Sequence, residues 1–166
     1  HAAGAIMSRA DLELLQRLRG FVGIAQACAL YDGMRGEEGA YFRELIAGYA
    51  ERIATMPKTY EQDGKGREAI AHLHYFTAGA DWYITERDMG DGSEPIEPIE
   101  LNAVPRMPEQ LQAFGLADIF GDGGELGYIS IVEILAAGAE LDLHFTPCTL
   151  ASIAADREAA REFEAA

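Results

Sequence analysis

Apolar residues recur every three or four positions over residues 8–31, where Leu12, Leu15, Leu18, Val22, Ala25 and Ala29 fall on one helical face. The spacing predicts a single helix. Ser8 with Asp11 three residues on is a weak capping box at its start. Gly20 and Gly23 weaken the pattern but allow close packing. After the Asp32-Gly33 and Arg35-Gly36 interruptions, Tyr41, Leu45, Tyr49 and Ile53 repeat at intervals of four, which predicts a second helix over 37–56 that stops at Pro57. Two amphipathic helices joined by a short glycine turn make a helical hairpin.

The period then changes. Residues 69–77 and 80–88 are rich in aromatic and β-branched side chains around Ala78-Gly79, the signal of a β-hairpin. In its second strand, alternation puts Trp82, Ile84 and Glu86 on one face and Asp81, Tyr83 and Thr85 on the other. Residues 89–112 carry Pro95, Pro98, Pro105 and Pro108 and read as an extended acidic loop, since proline removes donors and disfavours helix before it. A connection of that length is unusual unless it serves a function.

A strand over 113–118 follows, with Ala113, Gly115 and Ala117 as a thin, close-packed face. The run Gly121-Asp122-Gly123-Gly124 is a turn and lacks the lysine and hydroxyl of a phosphate loop. Residues 126–129 form a short strand. Ser130 and Glu133 make a capping box for a helix over 131–137 that stops at Gly138. Over 140–146, Leu141, Leu143 and Phe145 alternate with Glu140, Asp142 and His144, which predicts a strand ended by Pro147. Thr149 caps a last helix to about residue 164, with Leu150, Ile153 and Ala154 inward.

The fold class is therefore α+β. An N-terminal helical hairpin extension, 1–56, precedes an α+β core, 69–166. That core holds a mainly antiparallel sheet of about five strands, a short helix and a C-terminal helix, in one compact domain overall.

Composition narrows the function. A chain of 166 residues is long enough to bury a real core. No apolar run approaches the roughly 20 residues of a membrane span, and the start lacks the basic and apolar regions of a signal peptide. Cys28 and Cys148 have no paired spacing and read as buried, reduced thiols, which with the absent leader points to the cytoplasm. The net charge of −15 is uneven: residues 86–142 hold thirteen acidic residues against Arg87 and Arg106, a net of −11. Such a field repels nucleic-acid backbones and anionic membranes and suits a basic protein partner or divalent cations. The plainer reading of the charge is solubility alone.

Three constellations carry candidate chemistry. His72 and His74, two apart on a strand, would share a face and with His144 or Glu86 supply ligands for a divalent metal; the plainer reading is two partly exposed strand histidines. His144 beside Asp142 and Glu140 has the ingredients of a general base or pH sensor, or of a structural histidine. Glu86, Asp118 and Glu125 come from three sheet elements whose convergence would suit Mg²⁺ or Mn²⁺ and phosphoryl chemistry, against plain turn and edge roles. Trp82, Tyr83, Tyr128 and Phe145 would supply an aromatic surface or, on the plainer reading, core and cross-strand packing. No nucleophile elbow, HExxH, Walker or CxxC pattern occurs, and no catalytic residue is assigned.

Phe76-Thr77, Trp82, Thr85 and Glu86, then Phe114-Gly115-Leu116 and Asp118, then Glu125-Leu126-Gly127-Tyr128-Ile129-Ser130 with Glu133, and finally Asp142-Leu143-His144-Phe145 and Pro147 form one spaced pattern. It resembles a domain-of-unknown-function family of small bacterial plasmid- and phage-borne proteins, over residues 76–150. The resemblance implies a mobile-element setting and a fold, and it carries over no activity. The helical hairpin and the long acidic insert depart from the family pattern.

The expectation is a non-enzymatic acidic module without a cofactor that binds a basic protein through Glu94, Glu97, Glu100, Glu109, Asp122 and Glu125. Its sharpest form inhibits a host defence nuclease by imitating nucleic-acid charge. One alternative is a small metal-dependent hydrolase acting on nucleotides or nucleic acid through His72, His74 and His144 with Glu86 or Asp118. Another is a structural module that homodimerises through the N-terminal helices.

Overall fold

A computed structural model describes residues 8–90 and 108–165. Its helices begin where local chemistry allows. Ser8 Oγ accepts the Asp11 amide at 3.1 Å and opens α1, Arg9–Gln16. The single helix expected over 8–31 is in fact two, because the chain breaks at residues 17–23 before α2, Ile24–Arg35. Gly20 sits in the break at φ +87°, a conformation that costs glycine little. The break turns Leu18 and Phe21, both fully buried, into the core. Burying two such side chains stabilises by roughly 3–6 kcal/mol in all, which outweighs the lost helical turn. The second expected helix is α3, Gly39–Thr55. It lies against α2 so closely that a Cβ on Gly33 would come within 2.7 Å of the Phe42 ring. Arg43 ties the three together by donating to Asp11 Oδ1 at 3.0 Å and to the Met34 carbonyl at 3.3 Å.

The strands are β1, Ile70–Ala71; β2, Leu73–Phe76; β3, Asp81–Glu86; β4, Ala113–Asp118; β5, Glu125–Ile129; β6, Glu140–Leu141; and β7, Cys148–Thr149. Five form an antiparallel sheet in the order β5-β4-β3-β2-β6, and β1 pairs with β7 in a second, two-stranded sheet. The helix α4, Ile131–Ala136, starts on the Ser130 hydroxyl, which accepts the Glu133 amide, and ends before Gly138 at φ +95°. Thr149 Oγ1 likewise accepts the Ser152 amide at the start of α5, Leu150–Ala165.

The large sheet is covered on both faces. Leu73, Tyr75, Trp82, Ile84, Ala113 and Ile129 share a core with Leu18, Phe21, Ile46 and Ile53 of the helical region. The helices thus bury one face of the sheet, and the buried Tyr75 hydroxyl donates to the Phe21 carbonyl at 2.6 Å. On the other face Tyr83 and Leu116 pack against Leu150 and Ile153 of α5. Gly115 provides the thin, close-packed spot that its sequence suggested, since a Cβ there would overlap the Tyr83 carbonyl.

Four expectations are overturned. The strand over 140–146 stops at Leu141, because Tyr49 and Arg52 of α3 capture the carbonyls of Asp142 and Phe145 at 2.7 and 2.8 Å and hold them away from a ladder. A bulge between Ile84 and Glu86 shifts the register of β3 on β4, so Glu86 leaves the face of Trp82 and Ile84 and lines a cleft together with Thr85. Cys28 is exposed and not buried, on the outer side of α2, while Cys148 is half-buried; both are free thiols. The continuous first helix is the fourth. Among the described residues no helix is long and apolar enough to cross a membrane.

Candidate functional site

The histidines do not converge as a ligand set. His72 lies at the break between β1 and β2, its amide donating to the Ile84 carbonyl at 2.8 Å. Burial, with Arg52 nearby, pushes its pKa below the usual 6.5. His144 is exposed on the turn after β6, where its amide donates to Asp142 Oδ1 at 2.9 Å. The general-base pairing expected of His144 with Asp142 and Glu140 is corrected accordingly: the histidine whose ring meets Asp142 is His74. Among the described residues no group of three or more His, Cys, Asp or Glu side chains is arranged to hold a metal ion.

His74 instead belongs to a charged network on the sheet face under α5. Its Nδ1 is 2.9 Å from Asp142 Oδ2 and its Nε2 is 2.7 Å from Asp81 Oδ1. The imidazole thus bridges two carboxylates, one at each ring nitrogen. The ring stacks on Tyr83 with centroids 4.5 Å apart and planes at 7°. Arg157 of α5 continues the chain of charges, reaching Asp81 Oδ2 at 3.1 Å, the Tyr83 hydroxyl at 3.0 Å and the buried Asp118 carboxylate. Every ionic group in the network is thus engaged by another, which is the signature of a latch between sheet and helix. Sequence reasoning missed Arg157, since nothing local to it points at a sheet residue 39 positions earlier.

The three carboxylates expected to meet do not. Asp118 lies opposite Asp81 at one end of β4, while Glu86 lies opposite Phe114 at the other, four residues or about 13 Å along the strand. Glu125 is exposed at the start of β5, across from Ala117.

Glu86, almost wholly buried, lines a cleft of about 380 Å³ between the loop at residues 58–66 and strands β4 and β5. The loop is fixed to the sheet at several points. The Thr59 amide donates to the Arg87 carbonyl at 2.9 Å, and the Gln62 side chain bonds both Ile70 and Thr85 backbones at 2.8–2.9 Å. Between these anchors Tyr60 is forced to φ +77° and donates its amide to Glu86 Oε1. Burial pushes the Glu86 carboxyl above its usual range, and the Tyr60 amide works against that shift. The Tyr60 and Tyr128 hydroxyls meet at 2.9 Å and join the loop to β5.

Beside this cleft runs the outer edge of β5, the last strand of the sheet on that side. Leu126 and Tyr128 are 44% and 56% exposed on it, and Ile119 and Phe120 are 53% and 86% exposed at the preceding turn. Asp122 and Glu125 lie exposed among them, and Glu109 is exposed ahead of β4. Glu94, Glu97 and Glu100 lie outside the described residues. Comparison with known protein families, with curated proteins and with solved structures returns no match to this chain.

Proposed function

We propose that the chain is a non-enzymatic, acidic protein-binding module that receives an extended, basic segment of a partner protein along the outer edge of β5. The observation that supports this is the juxtaposition on one edge of exposed Leu126 and Tyr128 with the exposed carboxylates of Asp122 and Glu125. An edge strand offers unpaired N–H and C=O groups to an added strand, and alternate side chains supply contact area and selectivity. The net charge of −15 selects the sign of the partner: it draws basic surfaces, raises their association rate and discourages pairing between two copies of this chain. The same charge disfavours nucleic acid as a direct ligand. We place that partner among proteins encoded by a bacterial host or a mobile element, the setting expected from the pattern over residues 76–150. A defence nuclease, whose nucleic-acid groove is basic, is its sharpest case.

The test compares the chain with an Asp122→Lys, Glu125→Lys, Leu126→Lys variant in capture from a bacterial lysate eluted across a salt gradient. Hydrogen exchange is then followed on the complex. The expected result is a basic partner released as salt rises, lost by the variant, with new protection of the β5 amides. A variant that keeps the partner at physiological salt, or protection confined to other elements, overturns the proposal.

A further inference from the structure

We infer that the cleft between the 58–66 loop and β5 is a binding pocket for the ammonium head of a lysine side chain, presented by the segment that docks on β5. This deepens the partner-binding reading and rests on it.

The lining of the cleft suits one kind of ligand. Tyr60, Phe114 and Tyr128 line it with aromatic rings, Leu126 and Leu150 with aliphatic surface, and Glu86 and Asp63 are also on the lining. Among the described residues none of those lining the cleft is basic. Ring faces attract cations, and a long methylene stem packs on apolar walls while its charged head reaches a carboxylate. Phe114 and Tyr128 hold each other edge to face at 5.7 Å, and the Tyr60–Tyr128 hydroxyl contact fixes the opposite wall, so the aromatic lining is preorganised.

Glu86 is the residue that chooses between cations. Only 4% of it is exposed, yet its hydrogen-bond partners are the Tyr60 and Gln62 amides and the Thr85 hydroxyl, and none is a basic side chain. A carboxylate so desolvated gains from a cation brought into the cleft, consistent with the upward push that burial gives its pKa. Three donors already face the carboxylate, the Tyr60 and Gln62 amides and the Thr85 hydroxyl, which leaves it fewer free lone pairs than the parallel fork of a guanidinium needs. It can still serve the compact point charge of an ammonium. Leu126 and Tyr128 belong both to the cleft lining and to the β5 edge, so a strand added at that edge places side chains beside the pocket mouth.

The full chain, labelled with ¹⁵N, would be titrated at low salt with Nα-acetyl-lysine methylamide. Nα-acetyl-norleucine methylamide serves as the neutral analogue and Nα-acetyl-arginine methylamide as the guanidinium one. Saturable shifts confined to the amides of Tyr60, Gln62, Phe114 and Tyr128 are expected for the lysine probe, with norleucine and arginine each at least tenfold weaker. Glu86→Gln should lose the lysine preference. Tyr128→Ala, at a half-exposed position that does not threaten folding, should weaken lysine binding at least fivefold. Equal binding of lysine and norleucine, tighter binding of arginine, unsaturable shifts spread over the acidic surface, or an unaffected Tyr128→Ala variant would each overturn the assignment. The probes contain no partner strand, which separates the two ideas. A partner that protects β5 while the lysine probe stays silent removes the pocket alone. A probe that binds while partner protection falls elsewhere removes the edge reading and leaves the cleft as an amine site.

Discussion

The wholly buried Asp118 carboxylate on β4 and the Arg157 guanidinium on α5 form the ion pair that fastens the C-terminal helix to the sheet. Arg157 also reaches Asp81 and the Tyr83 hydroxyl, so one side chain holds three sheet residues. Arg157→Ala leaves a buried carboxylate facing the Gly121 amide without a counter-charge. The expected loss is about 3 kcal/mol in urea unfolding, within the range for breaking a buried pair by removing one member. Adding Asp118→Asn to that variant should recover part of the loss, because the uncompensated charge goes with it. A double variant no more stable than Arg157→Ala would show that the pair is held by packing and not by charge.

Gln110 ties the chain leaving β3 to the chain entering β4. It is fully buried, accepts the Asp88 amide at 2.8 Å and donates to the Pro108 carbonyl at 2.7 Å, while its own carbonyl accepts the Ile131 amide at 2.8 Å. Asp88 in turn accepts the amides of Gly90 and Gln112. Gln110→Ala strips the partner from a buried donor and should cost about 2 kcal/mol. The Asp88 amide should exchange its hydrogen much faster than in the parent. A parent-like exchange rate there would mean that water replaces the glutamine at no cost.

How much of this was legible from the sequence depended on distance along the chain. The caps at Ser8, Ser130 and Thr149 each act three residues away, and all three stand as the pattern suggested where it placed them. The hairpin of β2 and β3 and the close approach at Gly115 were likewise written in local alternation and residue size. What failed was decided from far away. The helix breaks at Gly20 because Leu18 and Phe21 gain burial under a sheet that starts some fifty residues later. The strand at 140–146 is cut short by Tyr49 and Arg52, which lie more than ninety residues earlier. Of the candidate site, the individual residues Glu86, His74 and Asp118 were visible as chemistry, but their neighbours were not. A bulge of one residue moved Glu86 to another face, and the partners of His74 and Asp118 come from β3, α5 and the turn after β6.

The stability contribution of Glu86 should change with pH in a direction fixed by its burial. Its folded-state pKa lies above the unfolded value of 4.5, so the folded chain holds the proton more tightly. The associated stability is fully present below about 4.5 and is lost as pH rises through the raised folded-state value. Glu86→Gln keeps an acceptor for the Tyr60 amide and has no charge to desolvate. Unfolding free energies of the two proteins across pH 4 to 8 should therefore diverge in favour of the variant as pH rises from about 4.5. Taking the difference removes the contribution of carboxylates remote from Glu86, which the substitution leaves untouched. A difference that does not vary with pH would mean that Glu86 is solvated in the folded state.

Tyr60 is the one non-glycine among the described residues with a positive φ, at +77°. It is held there by the Thr59 and Gln62 anchors on either side and by its amide bond to Glu86. Replacing it by alanine or by glycine removes the same ring and the same contact with Tyr128, so those losses cancel when the two variants are compared. What is left is the cost of the left-handed conformation, which alanine bears and glycine does not, about 1 kcal/mol. Tyr60→Gly should accordingly be the more stable of the pair, with a melting temperature higher by about 2–4 °C for a chain of this size. Glycine also widens the unfolded ensemble, which works against the gain and sets a lower bound on the strain that the comparison reveals. If Tyr60→Ala melts at the same temperature or above, the loop relaxes when the ring is removed, and the strained backbone is then imposed by the tyrosine's own contact with Tyr128 and not by the anchors that flank it.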